Sequence, residues 1–212
     1  LYRLDASPAG ALVDEMHFGF IAHSLNLTGA DEHGVTWPLV FRGFGDYKLP
    51  MYAYLLVPIV RWFGLSVLSI RLPSVLFGSL LIGAMYFFAR SMRLSKTASL
   101  VVTLITALSP WSFFLSRFGL ESNIGLFFWV MGLTTLQLTK DQQARWRQAV
   151  PGFLLALTWY CYIAYRPVTV VVLLGYLAYR WFQSQLNRKT ILTILAAFFL
   201  TVSPMLLPGV SG

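Results

Sequence analysis

The chain has 212 residues, of which 57% are hydrophobic and only 11% are charged. A soluble domain carries about 25% charged residues, so this composition argues against a soluble enzyme, a disordered chain and a DNA-binding domain. The formal net charge of +8 must be read by position, because basic residues of a membrane protein mark its cytoplasmic side. The single cysteine, Cys161, excludes an intramolecular disulfide framework.

Residues 1–49 form the first predicted unit, a polar loop. They contain all three histidines and six of the eight acidic residues. They hold no apolar run of the about 20 residues that a membrane-spanning helix needs. Within this loop, residues 16–25 are typical of a short amphipathic helix that follows Asp14 and Glu15.

The rest of the chain is mostly apolar and predicts an all-α integral membrane protein with about six transmembrane helices. Residues 50–70 predict an interfacial helix, over 50–63, and a turn. Residues 71–212 predict the membrane region. Its apolar runs lie at 72–90, 97–115, 120–138, 149–164, 167–183 and 190–208.

Charge divides the predicted loops between two faces of the membrane. One set, at 90–96, 139–148 and 180–189, carries nine basic residues and one acid, whereas the remaining segments carry seven of each. The basic face is therefore predicted to be cytoplasmic, and residues 1–49 lie outside. If 50–63 crossed the membrane, every later loop would invert, which favours an interfacial position for this helix.

Asp14 and Glu15 are the first candidates for chemistry. A carboxylate close to a membrane surface is suited to act as a general base. Neighbouring helical residues point about 100° apart, so only one of the two can face a given site. The alternative is a solvated helix start, where acidic residues are favourable.

Charged and aromatic residues at the outer ends of the apolar runs are the other candidates. Lys48 follows Asp46 and Tyr47 and is suited to bind a phosphate. Arg117 and Glu121 are four residues apart and would share a face if the turn between them is helical. Arg166 follows a tyrosine-rich segment. Interface anchoring and mutual neutralisation are the alternatives for these residues.

The order of these motifs resembles one family, the membrane glycosyltransferases of GT-C type that use polyprenyl-phosphate sugars. It includes protein O-mannosyltransferase-like and aminoarabinose-transferase-like enzymes. The matching motifs are Pro8, Asp14-Glu15, Thr28-Gly29, Pro38, the segment from Gly45 to Tyr52, Phe63-Gly64, the segment from Arg71 to Ser74, and Ser109-Pro110-Trp111.

The resemblance implies transfer of a sugar from a polyprenyl-phosphate carrier to a protein, lipid or glycan acceptor, by inverting displacement on the outer face. Asp14 matches the catalytic base, with Glu15 as the next candidate. Lys48 matches a lysine that holds the phosphate of the sugar donor, with Arg117 and Arg166 as further phosphate ligands. Asp46, Tyr47 and Glu121 are the expected substrate-binding residues.

The resemblance also implies a multi-pass protein of the cell (inner) membrane that binds membrane lipids and no nucleic acid. Family members have a further helix before the first outer loop and more helices after Gly212, so the chain is expected to be part of a longer enzyme. Asp14 and His17 are one helical turn apart and could together bind a divalent metal ion, although one carboxylate and one histidine make a poor metal site. The rival hypothesis is a transporter, flippase or assembly subunit for lipid-linked sugars, but a transporter would carry charges at mid-helix.

Overall fold

The computed structural model describes residues 3–6, 8–43, 45–141 and 143–206, and most of these residues are helical. The helices are α1 (Val13–Thr28), α2 (Pro50–Phe63), α3 (Val67–Ser91), α4 (Lys96–Leu108), α5 (Pro110–Arg117), α6 (Glu121–Leu138), α7 (Arg145–Leu157), α8 (Tyr165–Phe182) and α9 (Arg188–Leu206). A 3₁₀ turn at Thr158–Tyr160 follows α7. The all-α prediction missed one short hairpin, formed by β1 (Phe41–Gly43) and β2 (Asp46–Lys48).

Proline and serine explain where the helices differ from the predicted runs. The run at 97–115 is broken into α4 and α5, which are bent by 53°. Ser109 precedes Pro110 and is extended, as a residue before proline prefers to be. Helix α3 begins at Val67, five residues before the predicted start, because the Ser66 side chain accepts a hydrogen bond from the Ser69 N–H and caps the helix.

Two helices of the described part are long and apolar enough to cross a membrane, α3 and α9. The bent pair of α4 and α5 raises the number to three if it counts as one span. The prediction of about six spans is therefore not confirmed. Helix α7 has only 13 residues, and α6 begins with the polar residues Glu121, Ser122 and Asn123.

Helix α2 has the bounds that the sequence predicted, 50–63. Its 14 residues correspond to about 21 Å, less than the hydrocarbon thickness of about 30 Å. An interfacial position for α2 stays a prediction that this length favours.

Helix α1 packs against α2 and carries Asp14 and Glu15 in its first turn. The hairpin pairs Phe41 with Lys48 in antiparallel register and so places Lys48 immediately before α2. Gly43 lies against the His17 ring of α1, where a Cβ atom would come within 1.8 Å of the ring. This close approach requires glycine, and it fixes the hairpin over the first turns of α1.

Two large apolar clusters and a smaller one between α3 and α6 hold the described helices together. The first lies between α1, α2 and the start of α3 and includes Phe18, Tyr52 and Leu56, all fully buried. The second joins α7, α8 and α9 through residues such as Leu155, Leu173 and Phe198. The polar cavity described next opens beside the first cluster, among the loops at one end of the helices.

Buried polar contacts join α2, α3 and α6 at that same end. The Tyr52 hydroxyl donates to the Ile70 carbonyl over 2.8 Å, and the Ser74 hydroxyl donates to the Leu120 carbonyl over 3.1 Å. The Asn123 amide donates to the Ser74 carbonyl over 3.0 Å. The start of α6, which carries Glu121, is therefore held at a fixed place against α3.

Candidate active site

A cavity of about 850 Å³ lies between the start of α1, the hairpin, the start of α6 and the start of α8. Its polar lining residues come from four separate stretches of the chain. They are Asp14, Asp46, Tyr47, Lys48, Glu121, Ser122, Tyr162 and Arg166. The fold thus brings together six of the eight residues that the sequence singled out, all except Glu15 and Arg117.

Lys48 is the centre of the charge arrangement in this cavity. Its Nζ lies 2.8 Å from Asp14 Oδ1 and 3.3 Å from Asp46 Oδ2. The Lys48 side chain is 10% exposed, whereas that of Asp14 is 48% exposed. A nearly buried ammonium is thus held by two carboxylates that remain open to the cavity.

The surroundings of Lys48 keep it charged. Burial alone would lower the pKa of Lys48, but the hydrogen bond and charge of Asp14, the charge of Glu121 and the hydrogen bond to Asp46 raise the pKa above its usual value. The Tyr47 N–H and the Lys48 ammonium donate to Asp46 and lower the pKa of Asp46. Both groups are therefore ionised at neutral pH.

Glu15 faces away from the cavity and is 1% exposed. It forms a bidentate pair with Arg71, at 2.7 Å from Nε and 3.0 Å from an Nη atom. Its carboxylate also accepts the N–H groups of Leu12 and Gly119. Burial alone would raise the pKa of Glu15, but the Arg71 pair and these two N–H groups hold the pKa below its usual value.

Arg71 uses all five of its N–H donors. Besides its two bonds to Glu15, it donates to the carbonyls of Leu4, Pro8 and Gly10 over 2.7–3.1 Å. Its side chain is fully buried. Arg71 therefore fixes the segment that leads into α1, and with it the position of Asp14 at the start of that helix.

The loop between α5 and α6 passes over the same pair. A Cβ atom on Gly119 would come within 3.2 Å of Glu15 Cγ and 3.1 Å of the Tyr52 hydroxyl. Because the Gly119 N–H is bonded to Glu15, the pair also sets the position of Glu121, two residues later. Asp14 and Glu121 are thus positioned by one buried contact.

Arg166 forms the far wall of the cavity. Its guanidinium lies 5.8 Å from the centroid of the Trp159 ring. Its Nε is buried, and no described residue accepts a hydrogen bond from it. Arg166 and Lys48 are the two cations among the described residues that line the cavity.

Arg117 lies in a different cavity from Glu121, because the turn between them is extended rather than helical. Phe118 and Leu120 both have extended backbone conformations, so a spacing of four does not put Arg117 and Glu121 on one face. Arg117 instead donates to the Arg3 carbonyl over 3.1 Å and packs on the Phe113 ring.

His17 does not join Asp14. Its Nε2 hydrogen-bonds Glu32 over 3.0 Å, which holds the 31–36 loop against α1. Among the described residues there is no group of three or more His, Cys, Asp or Glu side chains that could hold a metal ion.

Residues 48–207 match the family model described as dolichyl-phosphate-mannose-protein mannosyltransferase. The chain belongs to this mannosyltransferase family. No curated protein and no solved structure gave a significant match.

The members of this mannosyltransferase family are membrane glycosyltransferases that use lipid-linked sugar donors, and the chain is one of these members. The apolar helices α3 and α9 agree with a membrane location. The matched stretch includes Lys48, Glu121 and Arg166. It begins after Asp14, so the role of Asp14 is argued from the cavity.

Sequence reasoning missed three contributors to this end of the molecule. Ser122 lines the cavity, and no sequence signal indicated it. Tyr162 also lines the cavity, but its tyrosine-rich segment was considered only as the surroundings of Arg166, with an aromatic belt as the alternative. Arg71 was noticed only as part of a motif. The signal for its role was a charged residue at the start of an apolar helix, which needs a buried partner.

Proposed function

We propose that the protein transfers a sugar from a polyprenyl-phosphate carrier to an acceptor, and that the cavity lined by Asp14, Lys48 and Arg166 is the site of transfer. The observation that carries this proposal is the cavity itself. It combines a half-exposed carboxylate with two cations, which is the charge pattern that a nucleophilic acceptor and a phosphate leaving group require.

Asp14 is the general base in this proposal. It takes a proton from the acceptor, whose oxygen or nitrogen attacks the anomeric carbon from the face opposite the phosphate. The bond between the anomeric carbon and the phosphate oxygen breaks, and the electron pair leaves with the lipid phosphate. The configuration at the anomeric carbon is inverted.

Lys48 and Arg166 bind the phosphate of the sugar donor. An ammonium has three N–H donors, and in the structure Lys48 contacts two carboxylates, which leaves a third direction for a phosphate oxygen. Arg166, which lines the same cavity, supplies a second cation through its guanidinium. Neutralising the phosphate makes it a good leaving group without protonation.

Asp46, Tyr47 and Glu121 complete the proposal as sugar-binding residues. All three line the cavity. Carboxylates accept hydrogen bonds from hydroxyl groups, and an exposed tyrosine ring offers an apolar face to a sugar. Arg117 has no part in this site, because it lies in another cavity.

The proposal places this cavity on the outer face of the membrane, because the basic loops lie at the other ends of the helices. On a background without Cys161, a cysteine introduced at Thr36 should react with an impermeant maleimide added to intact cells. A cysteine at Gln143 should react only after the membrane is opened. The reverse pattern would contradict the outer-face assignment.

The decisive test of function is transfer by the purified full-length protein. We expect a labelled sugar to move from a polyprenyl phosphate to an acceptor, and not from a nucleotide sugar. The matched control is the Asp14→Asn variant, which should bind the same sugar donor without transferring its sugar. Movement of the intact lipid-linked sugar across vesicles without transfer would favour the flippase hypothesis instead.

A further inference from the structure

A second cavity, separate from the proposed site of transfer, lies against α5. It has a volume of about 660 Å³ and is lined by Arg3, Arg117 and the aromatic residues Phe113, Phe114 and Phe118. None of the described lining residues is acidic. The described lining residues carry two positive charges and no negative charge, which favours an anionic ligand.

This cavity continues into an apolar groove between α3 and the bent pair of α4 and α5. The groove, of about 170 Å³, shares Phe113 and Arg117 with the cavity. It reaches from Val75 to Ile82 on α3, which is about 10 Å along the helix. The arginines therefore stand at one end of a slot lined mainly by small and apolar side chains.

The outer surface of this region is also apolar. Leu104, Ile105 and Leu108 of α4 and Trp111 of α5 are 57–72% exposed. A Trp side chain such as that of Trp111 is typical of the boundary between lipid tails and headgroups. A charged end at headgroup depth and an apolar slot below it match a lipid with an anionic phosphate head.

We propose that Arg3 and Arg117 bind the phosphate of an anionic membrane phospholipid, with one of its acyl chains in the groove between α3 and the bent pair of α4 and α5. This lipid is distinct from the sugar carrier, because the two cavities share no described lining residue. Between them runs the loop from Phe118 to Leu120, which the buried Glu15–Arg71 pair holds in place.

The lipid would stabilise the segment that leads to the proposed base. Ala6 and Pro8 form part of the cavity wall, and Arg71 binds the Pro8 carbonyl of the same segment. A bound phosphate on Arg3 would therefore hold the chain that Arg71 fixes from its other side. Anionic lipid should raise the melting temperature of the protein.

The experiment is native mass spectrometry of the purified full-length protein, titrated with phosphatidylglycerol or phosphatidylcholine. We expect preferential binding of phosphatidylglycerol, and about a tenfold weaker binding in Arg117→Gln. The matched control is Arg61→Gln, which removes an exposed arginine from the end of α2. Equal weakening in both variants would overturn the proposal.

A second pair of variants tests the acyl-chain groove. Ala107→Phe fills the groove and should weaken phosphatidylglycerol binding, whereas Ala196→Phe on the exposed face of α9 should not. Competition by inorganic phosphate at equal concentration would contradict a role for the chain. Displacement of phosphatidylglycerol by polyprenyl phosphate in the wild type but not in Arg117→Gln would assign the cavity to the sugar carrier and overturn the proposal.

Discussion

Asp14 and Glu15 are neighbours in the sequence but belong to two different regions of the molecule. Asp14 is half-exposed and meets Lys48 in the large cavity. Glu15 is buried and meets Arg71 behind the cavity wall. Both are carboxylates paired with a cation, so the difference between them lies in what surrounds each pair.

That difference separates a group that can react from a group that holds the site together. The Glu15–Arg71 pair satisfies its hydrogen bonds with backbone groups of residues 4, 8, 10, 12 and 119. It is shielded from ligands and joins three separate segments. The Asp14–Lys48 pair opens into the cavity, so a substrate can replace part of its contacts.

The largest expected effect is on catalysis by Asp14→Asn. Loss of a general base slows a reaction by about 10²–10⁴-fold, and loss of a partly exposed ion pair changes stability by less than about 1 kcal/mol. Turnover with a polyprenyl-phosphate sugar and the free energy of unfolding should be measured together. The control is Asp5→Asn, in the exposed turn before α1, which should keep the activity of the wild type. If the turnover rate of Asp14→Asn lies within a few-fold of the wild-type rate, another residue is the base.

The opposite expectation holds for Glu15→Gln. This change leaves the buried Arg71 guanidinium without its counter-charge, which costs about 3–5 kcal/mol in unfolding free energy. Denaturant or thermal unfolding in detergent measures this loss, with Asp14→Asn as the neighbouring control. Equal stability of the two variants would show that the buried pair does not hold the segment.

A smaller effect is expected in the pH dependence of stability. The pKa of Glu15 is lowered in the folded protein, so its contribution to stability is complete above the unfolded value of about 4.3. It is lost as the pH falls through the folded pKa. The melting temperature of the wild type should thus fall below about pH 4.3 more steeply than that of Glu15→Gln, and parallel curves would contradict this linkage.

The sequence predicted the helices better than it predicted the contacts between them. Apolar runs and prolines located α2 and the other helices, because these signals are local. Which of Asp14 and Glu15 faces the cavity could not be predicted, since it depends on how α1 is rotated on α2. The partner of Glu15 lies 56 residues away, and no local pattern indicates such a pair.

The position of Arg117 could not be predicted from local sequence either. Its spacing from Glu121 suggested a shared face, and that inference required a helical turn between them. Phe118 and Leu120 are instead extended, and Gly119 between them has no Cβ to press against Ile70, Tyr52 and Glu15. The extended backbone of Phe118 and Leu120 thus places Arg117 in a different cavity from Glu121.

The central claim is that Lys48 binds the phosphate of the sugar donor while Asp14 acts in the chemical step. The most direct test measures sugar-donor affinity and single-turnover rate for Lys48→Ala and Asp14→Asn. Lys48→Ala should weaken affinity by about tenfold or more, because a charge-assisted contact to the phosphate is lost. Asp14→Asn should leave affinity unchanged or tighter, because Asp14 no longer competes for Lys48, while its rate falls by about 10²–10⁴-fold. Unchanged affinity in Lys48→Ala, or weakened affinity in Asp14→Asn, would contradict the account.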